Sequence, residues 1–228
     1  LSKKLPANFE DSFPAFSSEK EISTRAASGK VIQMIAKILP EFWGGSADLA
    51  ESNNTTIEGS ASFLPAASQM ANADPYGRVI HFGIREHAMG AILNGMALHG
   101  LVKPFGGTFL VFSDYMRGAV RLSALMQLPV TYVWTHDSIG LGEDGPTHQP
   151  VEHLASLRTI PGFSVIRPCD ANEVTVVWQE IIRRLKPSGL VLSRQNLPVI
   201  DRSKYSPAQE AAKGAYVLAY GSSSSKDD

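Results

Sequence analysis

The stretch Val130–Val151 reads Val-Thr-Tyr-Val-Trp-Thr-His-Asp-Ser-Ile-Gly-Leu-Gly-Glu-Asp-Gly-Pro-Thr-His-Gln-Pro-Val. Its first five residues are β-branched or aromatic, which predicts a strand. From Thr135 onward, glycine and proline recur so often that neither a helix nor a strand can continue. A long ordered loop that directly follows a strand usually carries function. We therefore expect a functional loop at residues 135–151.

Helices and strands alternate on both sides of this stretch. Strands are predicted at 42–49, where the strand ends in a turn, and at 79–83, 101–109, 163–166 and 190–193. Helices are predicted from a cap at Ser17-Ser18-Glu19 to Pro40 and at 86–99, 114–128, 152–160 and 173–185, whereas the polar residues 50–76 are expected to form a loop. This alternation predicts a three-layer α/β/α fold with a mostly parallel sheet, whose ligands lie at the carboxyl ends of the strands.

The chain divides into three predicted parts. Residues 21–200 form one compact α/β domain, and residues 201–228 are a connector with a low-complexity tail. Residues 1–20 are an arm laid on a surface, with the surface of another domain as one candidate. The predicted helix that begins at Glu86 contains Ala88, Gly90, Ala91 and Gly95, and a helix with so many small side chains is usually wholly buried.

Composition excludes several classes of protein. The 21 basic and 22 acidic side chains nearly cancel, and they form no basic stripe, so nucleic acid is not an expected partner. No apolar run approaches the roughly 20 residues that a membrane span requires. Cys169 is the single cysteine, which excludes an internal disulfide and favours a reducing compartment, so we expect a cytoplasmic protein.

Three side chains of the loop admit several interpretations. His136, Asp144 and His148 suit metal ligands, acid/base groups or hydrogen-bonding groups for a polyhydroxylated substrate. The metal interpretation is the least favoured, because their spacing matches no metal motif. A loop whose polar groups only satisfy its own backbone is the remaining alternative.

Glu86 stands at the start of an otherwise apolar helix. The helix dipole favours a carboxylate there, so a simple capping role would explain it. A glutamate in an apolar setting is also a ready proton donor to a heterocyclic nitrogen. The residues by themselves leave these two interpretations about equal.

Aromatic and basic residues supply two further candidate groups. Phe109, Phe112 and Tyr115 recur every three residues, and they either line a pocket for a flat ring or belong to the core. Arg25 and Arg194 lie near predicted element ends, where a guanidinium grips a phosphate or forms a surface salt bridge.

Five stretches together resemble the pyrimidine-binding, or middle, domain of the transketolase family. They are Gly44–Asn53, Gly83–Gly90, Gly106–Tyr115, His136–Glu152 and Ser193–Pro198. The resemblance covers about residues 20–200. Members of this family use thiamine diphosphate to move two-carbon ketol units between sugar phosphates, and the resemblance implies the same fold and cofactor here.

The resemblance also implies roles around the cofactor. Glu86 matches the catalytic glutamate that hydrogen-bonds the pyrimidine N1′ and promotes the imino form of the 4′-amine. Phe109, Phe112 and Tyr115 match the aromatic pocket around the aminopyrimidine. Asp48 matches an acidic residue near the cofactor and the dimer interface. In the family the hard chemistry belongs to the cofactor, and the protein tunes it.

A second set of residues matches the substrate-binding groups of the family. Arg25, Ser52, His136 and Arg194 match the residues that hold the sugar phosphate. Asp144 and His148 match those that contact substrate hydroxyls and the carbonyl, and His148 is assigned to the catalytic residues with Glu86. Donors and acceptors at such positions discriminate polyols, because each hydroxyl requires its own partner.

The sequence departs from the family pattern in two respects. The Gly-Asp-Gly motif through which another domain holds the diphosphate and its Mg or Ca ion is absent, and no C-terminal domain follows the connector. We therefore expect only the pyrimidine half of the cofactor site here, in a fragment or separate subunit that is inactive alone. Its expected partners are the diphosphate-binding and C-terminal domains, within a homodimer, and sugar phosphates.

Alternatives to a transketolase remain open. The chain also suits a non-catalytic module that pairs with a partner chain. Within the enzymes, the corresponding domain of dihydroxyacetone synthase is a close alternative, and that of 1-deoxyxylulose-phosphate synthase is more distant.

Overall fold

A computed structural model describes residues 4–7 and 9–221 of the 228-residue chain. The helices are α1 (Thr24–Ile38), α2 (Ala50–Asn53), α3 (Glu86–His99), α4 (Ser113–Met126), α5 (His153–Arg158) and α6 (Ala171–Arg184). The strands are β1 (Glu21–Ile22), β2 (Phe42–Ser46), β3 (Ser62–Phe63), β4 (Ala73–Asp74), β5 (Val79–His81), β6 (Lys103–Phe109), β7 (Thr131–Thr135), β8 (Ser164–Ile166), β9 (Ser188–Val191) and β10 (Leu197–Pro198).

One parallel sheet organises the molecule. Eight strands pair in the order β4-β3-β5-β2-β6-β7-β9-β8, and every neighbouring pair is parallel. A separate antiparallel pair joins β1 to β10. Strand β2 lies between β5 and β6, so the chain leaves the centre of the sheet in opposite directions and opens a crevice at the carboxyl ends of these strands.

Helices cover both faces of the sheet, which confirms the predicted three-layer α/β/α fold. On one face, α1 and α6 pack over Phe42, Phe105 and Val133. On the other face, α3, α4 and α5 pack over Tyr132 and Trp134. Successive residues of β7 thus enter opposite layers, as the alternation of a strand requires.

Helix α3 is not wholly buried, so that expectation is wrong. Its inner face carries Gly90, where a Cβ atom would lie 2.8 Å from the Cβ of Ala119 in α4. Its outer face exposes Ile92 and Leu98 within the described chain. The small residues permit close approach to α4 on one side only, because nothing in the described part of this chain covers the other side.

Two predicted boundaries are also wrong. Helix α1 begins at Thr24 and not near residue 19, because Ser23 caps it by accepting a hydrogen bond from the Ala26 amide, and the preceding Glu21 and Ile22 form β1. Residues 50–76 are not all loop, since they contain α2, β3 and β4. Elements of two to four residues are too short to show a hydrophobic period.

The N-terminal arm lies on α6 of the same chain and not on another domain. Phe9 is buried in the core beneath α1 and α6. The Asn172 side chain exchanges two hydrogen bonds with the Phe16 backbone, and the Thr175 hydroxyl donates to the Pro14 carbonyl. The arm therefore completes the outer face of α6 in the part of the chain that the structure describes.

The connector after residue 200 is attached to the same helix. Arg202 lies 3.1 Å from the Asp170 carboxylate, and a 3-10 turn at Ala208–Lys213 buries Ala208. The low-complexity residues 222–228 lie outside the described residues. Within the described ranges, no helix combines the length and apolarity that a membrane crossing demands.

Candidate active site at the carboxyl edge of the sheet

The candidate site residues gather at the carboxyl edge of the parallel sheet, as predicted. Strands β2, β6 and β7 end side by side at Ser46, Phe109 and Thr135. The loop after β7 contains short 3-10 turns at 139–141 and 146–148 and is otherwise irregular, as its glycines and prolines predict.

A chain of buried hydrogen bonds crosses this edge and ends on His136. The Ser46 hydroxyl lies 2.9 Å from Asn53 Oδ1, and Asn53 Nδ2 lies 2.6 Å from the Thr135 hydroxyl oxygen. That oxygen in turn lies 2.8 Å from His136 Nδ1. All four residues are buried, so each polar atom depends on its protein partner. The chain thereby fixes the orientation of the His136 ring.

His136 has an uncommon backbone conformation, and its ring contacts Phe109 and lies near charged side chains. Its φ is 59°, a left-handed value that non-glycine residues seldom adopt. Its ring stacks on Phe109 with 3.6 Å between centroids, and its Nε2 lies 3.7 Å from Asp144 Oδ2. Burial and the nearby Arg25 guanidinium lower the pKa of His136 to about 4. The imidazole is therefore neutral at physiological pH.

The three predicted aromatic residues form a row that leads from the core to the surface. Phe109 is buried at the end of β6, Phe112 is half-buried and Tyr115 is 68% exposed. The Phe109 and Phe112 rings are nearly parallel, with centroids 5.7 Å apart, and the Phe112 and Tyr115 centroids are 6.0 Å apart. His148 meets both phenylalanine rings edge-on. Only Phe109 is a core residue, so the row presents aromatic surface to a ligand.

Arg25 and Arg194 bring two positive charges to the same edge. Arg25 Nη1 donates to the Ser52 carbonyl at 2.6 Å. Burial and the charge of Arg194 lower the pKa of Arg25, whereas Asp144 raises it. Arg194 forms an ion pair of 2.6 Å with the exposed Glu143, so it has the surface salt bridge that was one of its two expected roles. Two guanidinium groups that repel each other beside a neutral imidazole favour binding of an anion.

Glu86 is the first residue of α3 and is only 8% exposed. Within the described chain, its carboxylate accepts no hydrogen bond, and α3 has no side-chain cap. Glu86 therefore does not cap α3 through a hydrogen bond. The carboxylate remains an acceptor at a helix N-terminus, where the helix dipole favours its charge.

Asp48 and Ser52 lie beyond β2, where they line a surface pocket with His81. Asp48 is exposed and has a φ of 63°, whereas Ser52 belongs to α2. Through its carbonyl, Ser52 adjoins Arg25. The predicted substrate-binding residues thus form one contiguous group, and Glu86 lies outside their hydrogen bonds.

Metal-ligand geometry occurs elsewhere in the molecule. Among the described residues, two groups bring candidate ligand atoms within 4.8 Å of one another: Asp114 with Glu152 and His153, and Cys169 with Asp170 and Glu173. Neither group contains His136, Asp144 or His148. In the second group, burial and then Glu173 raise the pKa of Cys169 to about 12, so the thiol is protonated at neutral pH in the absence of a metal ion.

Sequence reasoning missed Ser46, Asn53 and Thr135 as contributors to the site. Ser46 and Asn53 belong to the stretch Gly44–Asn53, but no individual role was predicted for either. A signal was present, because a polar side chain within or beside a buried strand requires a partner. The identity of that partner is not encoded locally, since Asn53 and Thr135 are 82 positions apart.

The fold and this edge define a doubly wound α/β domain in which two guanidinium groups and a row of aromatic rings lie at the carboxyl ends of the strands. The chain belongs to the family described as transketolase, pyrimidine binding domain, whose profile matches residues 20–199.

Curated relatives agree with this family assignment. The chain is 55% identical to the transketolase of Mycobacterium tuberculosis strain H37Rv over 224 residues, which cover 96% of this chain and 32% of the relative. It is 54% identical to the transketolase of Geobacillus stearothermophilus, again with 96% and 32% covered. The chain thus spans about a third of the length of these relatives.

Solved structures give the same result. A transketolase from Pichia stipitis in complex with sedoheptulose-7-phosphate superposes with a TM-score of 0.91 at 47% identity, covering 97% of this chain and 32% of that one. A split-gene transketolase, described as an inactive β4 tetramer, superposes with a TM-score of 0.62 at 27% identity, covering 80% of this chain and 55% of that one.

Proposed function

We propose that this chain is the pyrimidine-binding part of a transketolase, an enzyme that transfers two-carbon ketol units between ketose and aldose phosphates through thiamine diphosphate. The observation that carries the proposal is the Glu86 carboxylate, which begins α3 on a residue only 8% exposed and has no hydrogen-bond partner in the described chain. A largely buried carboxylate of this kind is available to accept a hydrogen bond from a ligand that binds beside it.

The residues present fit the aminopyrimidine half of this cofactor. Phe112 and Tyr115 offer aromatic surface outside the core, and a flat heterocycle stacks favourably on such rings. Glu86 supplies the carboxylate for a hydrogen bond to a pyrimidine nitrogen. When bound, thiamine diphosphate supplies the nucleophilic carbon, and Glu86 holds the proton at N1′ that tunes the ring.

The loop and the two guanidinium groups are proposed to order the sugar phosphate. Arg25 and Arg194 bind its phosphate, since both lie at the same edge as neutral His136. Asp144 and His148 contact its hydroxyls and carbonyl, and His148 acts in catalysis. Ser52 supports the phosphate end through its contact with Arg25.

Catalysis is proposed to require the rest of a transketolase. The diphosphate and its Mg or Ca ion would be held by a separate diphosphate-binding domain, because the Gly-Asp-Gly motif is absent from this sequence. A C-terminal domain completes the subunit, and Asp48 lies near the interface of a homodimer. The 228-residue chain by itself is therefore expected to be inactive.

Complementation tests this proposal. The chain is mixed with separately produced diphosphate-binding and C-terminal domains, thiamine diphosphate and magnesium, and ketol transfer is measured. We expect ketol transfer only when all of these components are mixed. Replacing the chain by its Glu86→Gln variant should lower the rate about 10²- to 10⁴-fold. The matched control is Glu19→Gln, an exposed glutamate that precedes β1, which should retain activity.

Two results would contradict the proposal. One is ketol transfer by the 228-residue chain without the other domains, which would show that it is not half a site. The other is full activity of the mixture containing Glu86→Gln. Offering formaldehyde as the acceptor in the same assay separates transketolase from dihydroxyacetone synthase, and pyruvate as the donor separates it from 1-deoxyxylulose-phosphate synthase.

A second candidate function is a non-catalytic assembly module, and the exposed face of α3 favours it. Ile92, Leu98 and the adjoining Leu101 are about half exposed or more, and Ile92 and Leu101 line a groove together with Trp43 and Phe63. A contiguous apolar surface of this kind marks an interaction site. We assign a second copy of this chain as its occupant, with support from the tetrameric assembly of the split-gene relative. Association without activity in the complementation assay would favour this candidate.

A further inference from the structure

The hydrogen bonds behind His136 determine which of its nitrogens carries the proton. We propose that Thr135 and Asn53 are positioning residues that hold His136 as the Nε2–H tautomer, so that it donates a hydrogen bond to an acceptor oxygen of the ligand. The proposal deepens the function above and rests on it for the identity of that ligand, a sugar phosphate.

The first step concerns the single hydrogen of the Thr135 hydroxyl. Its oxygen lies 2.6 Å from Asn53 Nδ2 and 2.8 Å from His136 Nδ1, and it has no other partner within the described chain. With Asn53 donating its amide N–H, the hydroxyl is free to donate to Nδ1. Nδ1 is then the acceptor of the neutral ring, and the proton resides on Nε2.

The second step considers the same hydrogen bonds with donors and acceptors exchanged. If the Asn53 amide were turned by 180°, its oxygen would accept from Thr135, and Nδ1–H would donate to the Thr135 oxygen. The Ser46 hydroxyl would still have an acceptor, because it lies 2.9 Å from the Gly107 carbonyl. The hydrogen bonds from Ser46 to His136 can therefore run in either direction. The tautomer of His136 is coupled to the orientation of the Asn53 amide.

Asp144, which lies beside the second ring nitrogen of His136, favours one of these two states. Nε2 lies 3.7 Å from Asp144 Oδ2. In the first state an N–H faces this carboxylate, which is attractive. In the second state a nitrogen lone pair faces it, which is repulsive. Asp144 therefore sets the direction of the buried hydrogen bonds that connect His136 to Ser46.

A protonated ring is excluded at neutral pH by its surroundings. Burial first, and then the charges of Arg25, Arg194 and His148, lower the pKa of His136 to about 4, although Asp144 opposes them. The imidazole therefore remains neutral, and its tautomer decides what it can bind. An Nε2–H that lies within the electrostatic influence of Arg25 and Arg194 suits a phosphate or carbonyl oxygen, and it cannot accept a hydrogen bond from a hydroxyl.

Nitrogen-15 NMR of the histidine-labelled 228-residue chain, without cofactor, measures the tautomer directly. Among six histidines, the His136 signals are assigned by their loss in His136→Asn. At pH 7 we expect a pyridine-like Nδ1 and a pyrrole-like Nε2. A pyrrole-like Nδ1, or two averaged signals in the wild-type chain, would overturn the proposal.

Substitutions in β7 separate positioning from simple structural support. Thr135→Val removes the donor to Nδ1, so its His136 signals should average between the tautomers, whereas Thr135→Ser should restore the wild-type pattern. The matched control is Thr131→Val, a buried threonine in the same strand without a side-chain hydrogen bond to His136, and it should leave the pattern unchanged. An unchanged pattern in Thr135→Val would contradict the role of Thr135.

The NMR result is independent of the proposed activity. If complementation fails but the Nε2–H pattern is found, the transketolase proposal fails and the positioning role stands. If the mixture is active and depends on Glu86 but the wild-type pattern is reversed, only the positioning role fails. In an active mixture, Thr135→Val should raise KM for the sugar phosphate about tenfold with a smaller change in kcat.

Discussion

At the scale of the residue, His136 combines an uncommon left-handed backbone conformation with a lowered side-chain pKa. It occupies a left-handed conformation at the end of β7, and its neighbours keep it neutral. Strain of this kind persists only where the surroundings determine it. Here the hydrogen bond between Thr135 and His136 Nδ1 and the stack on Phe109 provide that support.

The lowered pKa of His136 predicts a pH dependence of stability. The unfolded chain binds a proton on this residue below the ordinary histidine pKa of 6.5, whereas the folded chain does so only below a pKa of about 4. The unfolded state therefore binds more protons between these values, and the free energy of unfolding decreases as the pH falls through this window. Allowing for partial solvent screening, we expect a loss of about 1–2 kcal/mol from this residue.

Urea denaturation at pH 7 and pH 4.5 measures this contribution. The matched variant is His136→Asn, because asparagine tolerates the left-handed conformation and does not titrate. The wild-type chain should lose more stability between the two pH values than the variant does. Equal losses in both proteins would show that His136 does not titrate as described.

At the scale of the element, two glycines of α3 illustrate what packing adds to helix propensity. A Cβ at Gly90 would approach the Ala119 Cβ to 2.8 Å and the Met116 Cε to 3.3 Å. Nothing lies within 4 Å of a Cβ at Gly95. Both are glycines inside the same helix, so propensity alone assigns them the same cost.

We predict opposite effects of alanine at these two positions. Gly90→Ala should lower the free energy of unfolding by about 1–3 kcal/mol through overpacking against α4. Gly95→Ala should raise it by about 0.5–1 kcal/mol, because alanine restricts the unfolded chain without a clash. Chemical denaturation of both variants measures the difference. Equal shifts in the same direction would refute the close approach of α3 and α4.

Helix α6 is capped by the buried Asp170 carboxylate at its start. Asp170 is fully buried, and it accepts hydrogen bonds from the amides of Glu173 at 2.9 Å and Ile200 at 3.0 Å. Arg202 lies 3.1 Å from the same carboxylate. Asp170 thereby attaches both the segment after β10 and the connector to the N-terminus of α6.

Removal of this carboxylate should destabilise the fold. Asp170→Ala is expected to cost about 2–4 kcal/mol, since it removes a cap and leaves Arg202 with one partner fewer. Asp170→Asn retains a capping oxygen and should cost less. Asp201→Ala, which removes an exposed pair with Lys204, should change stability by less than about 1 kcal/mol. Thermal and urea unfolding rank the three variants, and a different order would contradict this role.

At the scale of the whole molecule, the face of α3 that carries Ile92 and Leu98 stays uncovered in the described part of the chain. A core on each side of the sheet is complete, yet Ile92 and Leu98 remain outside both. If a second copy covers this face, the wild-type chain should form dimers in solution.

Sedimentation velocity of wild type and Ile92→Glu tests this arrangement. The variant should shift the equilibrium toward monomer, with the dissociation constant raised about tenfold or more. Its fold should be unaffected within about 0.5 kcal/mol, because the position is exposed. Lys37→Gln, an exposed substitution with the same change in charge, is the control. A wild-type chain that remains monomeric at high concentration would refute self-association through this face.

Sequence by itself determined the class of fold, the long irregular loop after β7 and the gathering of the candidate residues at the carboxyl edge. These depend on local properties: a period of two or 3.6 in apolar residues, and the intolerance of glycine and proline for regular structure. The start of α1 was not predicted, because the preceding β1 pairs with β10 far away in the chain. The strands β3 and β4 were not predicted, because two residues are too few to show a hydrophobic period.

Only the tertiary structure decided the connections among distant residues. It joined Ser46, Asn53 and Thr135 into one buried chain, laid the arm on α6 and left one face of α3 uncovered. Each of these depends on which surfaces meet after folding. Burial and hydrogen-bond partners are properties of such contacts, and no local pattern in the chain contains them.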